Sequence, residues 1–158
     1  MSNRKRYSGL PWPGVLAALV VAAGCGGGSS TTSGSSELPT TLSAAAPLLN
    51  STAAAVPGLS TSQQVVGLGS IFGLAKQKMP SDHYAQVAAA IPGSDALAVE
   101  ASNKGLPNNL NGMSDVTKFT GKSGVTPEHL SKMIPVIGDQ LAGKVTPTTA
   151  NAFFGALR

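Results

Sequence analysis

The chain has 158 residues, of which 11% are charged and 4% aromatic, and a formal net charge of +4 at pH 7. Three of its 11 Lys and Arg are Arg4, Lys5 and Arg6, so beyond them eight bases face seven acids with no clustered excess to neutralise phosphates, which excludes nucleic acid as a partner. Cys25 is the only cysteine; an internal disulfide and a cysteine metal cluster are excluded, and the length has room for one modest domain.

The chain begins with the cationic Arg4-Lys5-Arg6, continues through the apolar run Val15 to Ala23, and places small residues before Cys25, which is the pattern of an export leader. The stretch Val20-Val21-Ala22-Ala23-Gly24-Cys25 resembles the lipobox of bacterial lipoproteins, with Ala22 where leucine is usual. The resemblance implies that residues 1–24 are a signal peptide cut just before Cys25, and that Cys25 is the lipidation site, carrying a diacylglycerol with acyl chains such as palmitate. The apolar run is short of the ~20 residues of a spanning helix, so acylated Cys25 is expected to hold the protein to the membrane. Gly26, in place of aspartate after the cysteine, resembles outer-membrane sorting; the expected location is the bacterial cell envelope, facing the periplasm if the host is Gram-negative.

From Gly26 to about Pro57 the composition narrows to Gly, Ser, Thr and Ala, with Glu37 as the only charge. Such a segment buries too little apolar surface to offset the entropy of ordering it, so residues 25–58 are expected to be a lipidated cysteine followed by a disordered tether, with an end-to-end distance of roughly 30 Å. Leu48-Leu49 and Ala53 to Ala55 offer a short helical or docking piece, bracketed by Pro47 and Pro57.

Residues 59–158 are expected to form an all-α domain of about five to six short helices. Thr61 and Gln64 read as a capping box, followed by Val65, Leu68, Phe72, Ala75 and Met79 at steps of three and four, the stripe of an 18-residue helix stopped by Pro80. Gly67, Gly69 and Gly73 each cost about 1 kcal/mol against alanine inside a helix, and their spacing predicts a second helix in close approach. Ser81 caps a helix to about Ala90 with Tyr84, Val87, Ala88 and Ile91 on its apolar side, and Ser94 caps another through Ala101 after the Pro92-Gly93 turn. Residues 103–112 are rich in Asn, Gly and Pro and read as a loop, with a turn of helix from Met113 to Phe119. Thr126 with Pro127 and Glu128 opens a helix carrying Leu130, Met133, Ile134, Ile137 and Leu141, which Pro135 is expected to kink or split. Val145-Thr146-Pro147 launches a last helix with Ala150, Phe153, Phe154 and Leu157 on one side, and the two similar phrases suggest an antiparallel helical pair.

The run Gln63 to Met79, then Ile91-Pro92-Gly93-Ser94-Asp95, then Gly124-Val125-Thr126-Pro127 leading to Met133-Ile134-Pro135-Val136-Ile137, resembles the VcgC/VcgE family of bacterial domains of unknown function. The resemblance covers about residues 59–158. It implies a small helical domain, often exported, and carries no functional residues to transfer.

The residues themselves hold little that reads as catalysis. His83 and His129 stand in first turns of predicted helices; with Asp82 or Glu128 they could hold zinc only without any recognised ligand spacing, so no metal is expected. Gly121-Lys122-Ser123 echoes the end of a phosphate loop, but Val116 occupies the place of the required glycine. The reading that follows is a non-catalytic, lipid-anchored cell-envelope protein that needs no cofactor and presents a helical domain to an unknown envelope protein. A carrier holding a lipid or other apolar ligand between helices opened at Pro135 is an alternative from another class, and an enzyme with an unrecognised site is a third.

Overall fold

The computed structural model describes residues 40–158, with side chains from Leu42 onward. The expected leader, Cys25 and the first part of the expected tether lie outside the described residues. Among the described residues the structure is helical without strands: a 3-10 turn at Thr40–Ala45, then α1 (Ala46–Ala55), α2 (Thr61–Lys78), α3 (Ser81–Ala90), α4 (Ser94–Asn103), α5 (Met113–Gly121), α6 (Pro127–Leu141) and α7 (Pro147–Ala156). No described helix is long and apolar enough to cross a membrane.

Two elements more than expected come from the stretch read as tether. Leu42, Leu48, Leu49, Thr52 and Val56 are all buried, and α1 packs against α2 and α6. Composition misleads here because a few large apolar residues at helical spacing suffice when a preformed surface receives them. The flanking prolines are helix punctuation: Pro47 sits in the first turn, where its missing N–H costs nothing, and Pro57 follows the C-cap Val56.

Helix α2 is the axis of the domain. Its predicted stripe, Val65, Leu68, Phe72, Ala75 and Met79, is buried, yet Gln64 to Ala75 are buried without a break, so the helix is enclosed on every side. Its glycines make that possible. A Cβ on Gly69 would collide with the Leu97 carbonyl of α4 and lie 2.9 Å from Ala101 Cβ, and one on Gly73 would lie 2.6 Å from Leu106 Cδ2. The predicted close approach is therefore α4 laid against the small-residue face of α2.

Helix starts depart from expectation in three places. The capping box of α2 uses Ser60 and Gln63, one residue before the expected Thr61 and Gln64; Gln64 is buried and donates to the Leu59 carbonyl at 3.2 Å. Pro80, not Ser81, precedes α3, and its carbonyl accepts the Tyr84 N–H at 3.0 Å. Gly93, not Ser94, precedes α4 with φ at +86°, a conformation that a side chain disfavours. Ser94 is fully buried instead, its hydroxyl without a partner among the described residues.

Pro135 does not split α6, which runs unbroken from Pro127 to Leu141. The proline lies on the exposed face, where water can satisfy the carbonyl one turn earlier at exposed Ser131. On the inner side Met133 and Ile137 are fully buried. Helix α7 packs chiefly on α3 and α2 rather than pairing along α6; it meets α6 through the Phe154 ring, whose Cζ would lie 3.2 Å from a Cβ on Gly138. Phe153 stacks tilted on Phe72 with ring centroids 6.2 Å apart, closing the core beneath α7.

Candidate functional site

The two histidines, which carried the sequence-level possibility of catalysis or metal binding, both have structural partners. Thr126 caps α6 by accepting from the His129 N–H at 3.3 Å, and His129 Nδ1 accepts the Thr126 N–H at 3.2 Å, so histidine takes the place of the usual Glu or Gln of a capping box. In that geometry the His129 proton sits on Nε2. His83 instead joins α3 to α7: its Nδ1 lies 2.9 Å from the Thr149 hydroxyl, which donates to Gln86 Oε1 at 2.8 Å and accepts from Thr146 at 3.0 Å. Thr149 has one proton and gives it to Gln86, so His83 Nδ1 must be the donor. Among the described residues no three His, Cys, Asp or Glu side chains gather as a metal site, and Glu128 and Asp82 are exposed at the starts of α6 and α3.

Tyr84 is a different kind of buried polar group. Its hydroxyl has no hydrogen-bond partner among the described residues, while Lys76 stands 5.5 Å from the ring centroid and pairs with Asp95 at 2.9 Å. Burial, reinforced by the negative charge of Asp95, pushes the phenol well above its usual range. It stays neutral and inert at physiological pH.

The feature with the geometry of a site is the segment between α4 and α5, read from the sequence only as a loop. It is fixed at both ends. Leu106 and Leu110 are buried anchors, and Gln77 at the end of α2 grips the backbone between them: Gln77 Nε2 donates to the Pro107 carbonyl at 3.1 Å, and Leu110 N–H donates to Gln77 Oε1 at 2.9 Å. The loop then turns into α5 through Asn111, whose backbone N–H and Nδ2 both donate to Asp115 Oδ2, at 3.0 and 3.3 Å. Those bonds, the backbone one foremost, with Lys118 at 3.5 Å, hold the Asp115 carboxyl below the usual carboxylate range. Asn108, Asn109 and Asn111 remain exposed.

Two of the grooves that border this loop share Asn111. One, of about 300 Å³, is lined by Asn109, Asn111, Asp115, Lys118, Phe119 and Lys122. The other, of about 410 Å³, is shared by Asn111 with Lys78, Met79, Pro80 and Arg158. They meet at Asn111, beside Gly112, where a Cβ would lie 3.0 Å from the Arg158 carbonyl. Lys76, Lys104 and Lys118 pair with Asp95, Glu100 and Asp115, whereas Lys78, Lys122 and Arg158 make no ion pair among the described residues. The sequence singled out Lys122 only in an incomplete echo of a phosphate loop and gave no sign of Gln77, Asn109, Asn111 or Arg158; the groove exists because chain segments distant in sequence meet there.

The sequence model of one family, described as protein of unknown function VcgC/VcgE, matches residues 27–158. The chain belongs to that family, and the match reaches further towards the N-terminus than the resemblance at 59–158, taking in α1. No curated protein and no solved structure matches the chain.

Proposed function

We propose that this member of the VcgC/VcgE family is a non-catalytic binding module held at the bacterial cell envelope by an acylated Cys25. The observation that carries the binding role is the loop between α4 and α5, anchored by Leu106, Leu110 and Gln77 with its amides turned to solvent beside unpaired cations. A polar loop fixed in this way loses little freedom when it meets a partner, which is how a binding surface gains affinity. The non-catalytic reading is supported by the two histidines, each engaged in joining or capping helices. Anchoring is supported by the lipobox-like Val20 to Cys25. Residues 26–39 separate Cys25 from Thr40, and 14 residues reach at most about 50 Å when fully extended, so the domain would work close to the membrane surface.

The test is membrane fractionation with metabolic labelling by a radioactive fatty acid. Wild type is expected to take the label and sediment with membranes, and Cys25→Ser to lose the label and leave the membrane fraction. Unchanged fractionation and processing of Cys25→Ser would refute lipid anchoring.

A further inference from the structure

The groove beside the fixed loop has a chemistry specific enough to name a ligand class. Resting on the reading of the domain as a binding module, we propose that the groove bordered by Asn109, Asn111, Phe119 and Lys122, continued past Asn111 to Lys78 and Arg158, binds an anionic glycan: a chain of sugars carrying carboxylate or phosphate groups.

Each part of the groove answers a part of such a ligand. A carboxamide offers a carbonyl acceptor and two N–H donors on one small plane, which suits neighbouring sugar hydroxyls that both give and accept hydrogen bonds. Asn109 lines the first groove, is exposed and makes no hydrogen bond to the protein among the described residues, so it is available. Phe119 is half-buried in the wall of the first groove, an apolar surface for the C–H face of a pyranose ring. In the first groove Lys118 pairs with Asp115 and Lys122 is left over, and Lys78 and Arg158 line the second, none of these three paired among the described residues; cations in two adjoining grooves suit a polymer better than one small anion. The two spaces, about 300 and 410 Å³ and sharing Asn111, fall in the range of small-ligand sites.

Other anionic partners fit less well. Single-stranded nucleic acid asks for several exposed aromatic platforms, and Phe119 is the one aromatic residue lining either groove. An anionic bilayer is flat and is met by a convex basic face with apolar residues that insert, whereas these cations line a concavity.

The experiment is isothermal titration of full-length protein in detergent micelles at physiological salt. The probes are oligogalacturonate, peptide-free glycan strands of cell wall, a phosphomannan oligosaccharide, uncharged maltohexaose and phosphatidylglycerol nanodiscs. Binding of at least one charged glycan, tenfold or more tighter than maltohexaose, is expected, and uronate against phosphomannan tells which acid group is read. Lys122→Gln combined with Arg158→Gln, and separately Asn109→Ala, should each weaken that binding tenfold or more; all three residues are exposed, and an unchanged far-UV spectrum confirms folding. Equal binding of maltohexaose, binding of nanodiscs alone, insensitivity to these variants, or no binding of any charged glycan at millimolar concentration would each overturn the proposal. Because micelles replace the membrane, these results are independent of lipid anchoring, which the Cys25→Ser fractionation decides by itself.

Discussion

Placing the same methyl group on two helical glycines should change stability in opposite directions. Gly155 in α7 has nothing within 4 Å of where a Cβ would stand, so Gly155→Ala adds only helix propensity. Full propensity is about 1 kcal/mol, and near a helix end about half of it is realised. Gly69 in α2 gains the same propensity, but its Cβ would drive into the Leu97 carbonyl and the Ala101 side chain of α4. A backbone carbonyl held in a helix cannot turn aside alone, so α4 must shift as a body, and overpacking of this kind costs about 3 kcal/mol. The net expectation for Gly69→Ala is a loss of about 2 kcal/mol against a gain of about 0.5 for Gly155→Ala. For a domain of this size the Tm falls by roughly 8 °C in the first case and rises by about 2 °C in the second. Far-UV circular dichroism is the assay, since the only tryptophan, Trp12, precedes Cys25. A Gly69→Ala protein as stable as wild type would refute the account of how α4 packs on α2.

Tyr84→Phe removes a buried hydroxyl without a partner, so it should raise stability by up to about 1 kcal/mol at neutral pH. Because the folded phenol holds its proton more tightly than the unfolded one, the stability it contributes is present below pH ~10 and is lost as pH rises towards the folded value, at about 1.4 kcal/mol per pH unit; urea titrations between pH 8 and 11 should show this extra slope in wild type and not in Tyr84→Phe, and parallel curves would count against the burial of the hydroxyl. Thr149→Val keeps the shape but removes the shared partner of His83, Gln86 and Thr146, all of which water can reach, so the expected loss in urea unfolding is about 1 kcal/mol. In the wild-type protein at a pH where His83 is neutral, nitrogen NMR should find its proton on Nδ1; a proton on Nε2 would mean that the donor order through Thr149 runs the other way.

What was legible in the sequence is what repeats with the period of a helix. Leu130, Met133, Ile137 and Leu141 read as a stripe and are buried as one, and Thr126-Pro127 opens α6 as expected. The start of α2 was legible only to within a residue, because Ser60, Thr61 and Ser62 can all cap and Gln63 and Gln64 can both reach back. Burial decides between the registers: Gln64 faces the interior and must satisfy its amide at Leu59, which leaves Gln63 to close the box with Ser60. Helix α1 was legible only as an option, a short helical or docking piece at Leu48-Leu49 and Ala53 to Ala55 within an expected tether, since its many Ala, Ser and Thr conceal that Leu48, Leu49 and Val56 share a buried side. A local window cannot reveal that α2 and α6 offer a surface for them.

The candidate site was hidden for a related reason. An overall charge balance near neutrality argues against a nucleic-acid binder, but it averages over pairing. In the fold, Asp95, Glu100 and Asp115 take up Lys76, Lys104 and Lys118, and the cations left over include Lys78, Lys122 and Arg158, which border the two grooves. Lys78 and Arg158 stand far apart in sequence and line one groove because α7 returns beside the end of α2. The asparagines between α4 and α5 read as loop-formers in isolation. Their distinction depends on Gln77, which lies 30 and 33 residues away from the carbonyl and amide it holds. A loop becomes a recognition surface when its backbone is satisfied from elsewhere in the fold, because only then are its side chains free to face a ligand in a fixed arrangement.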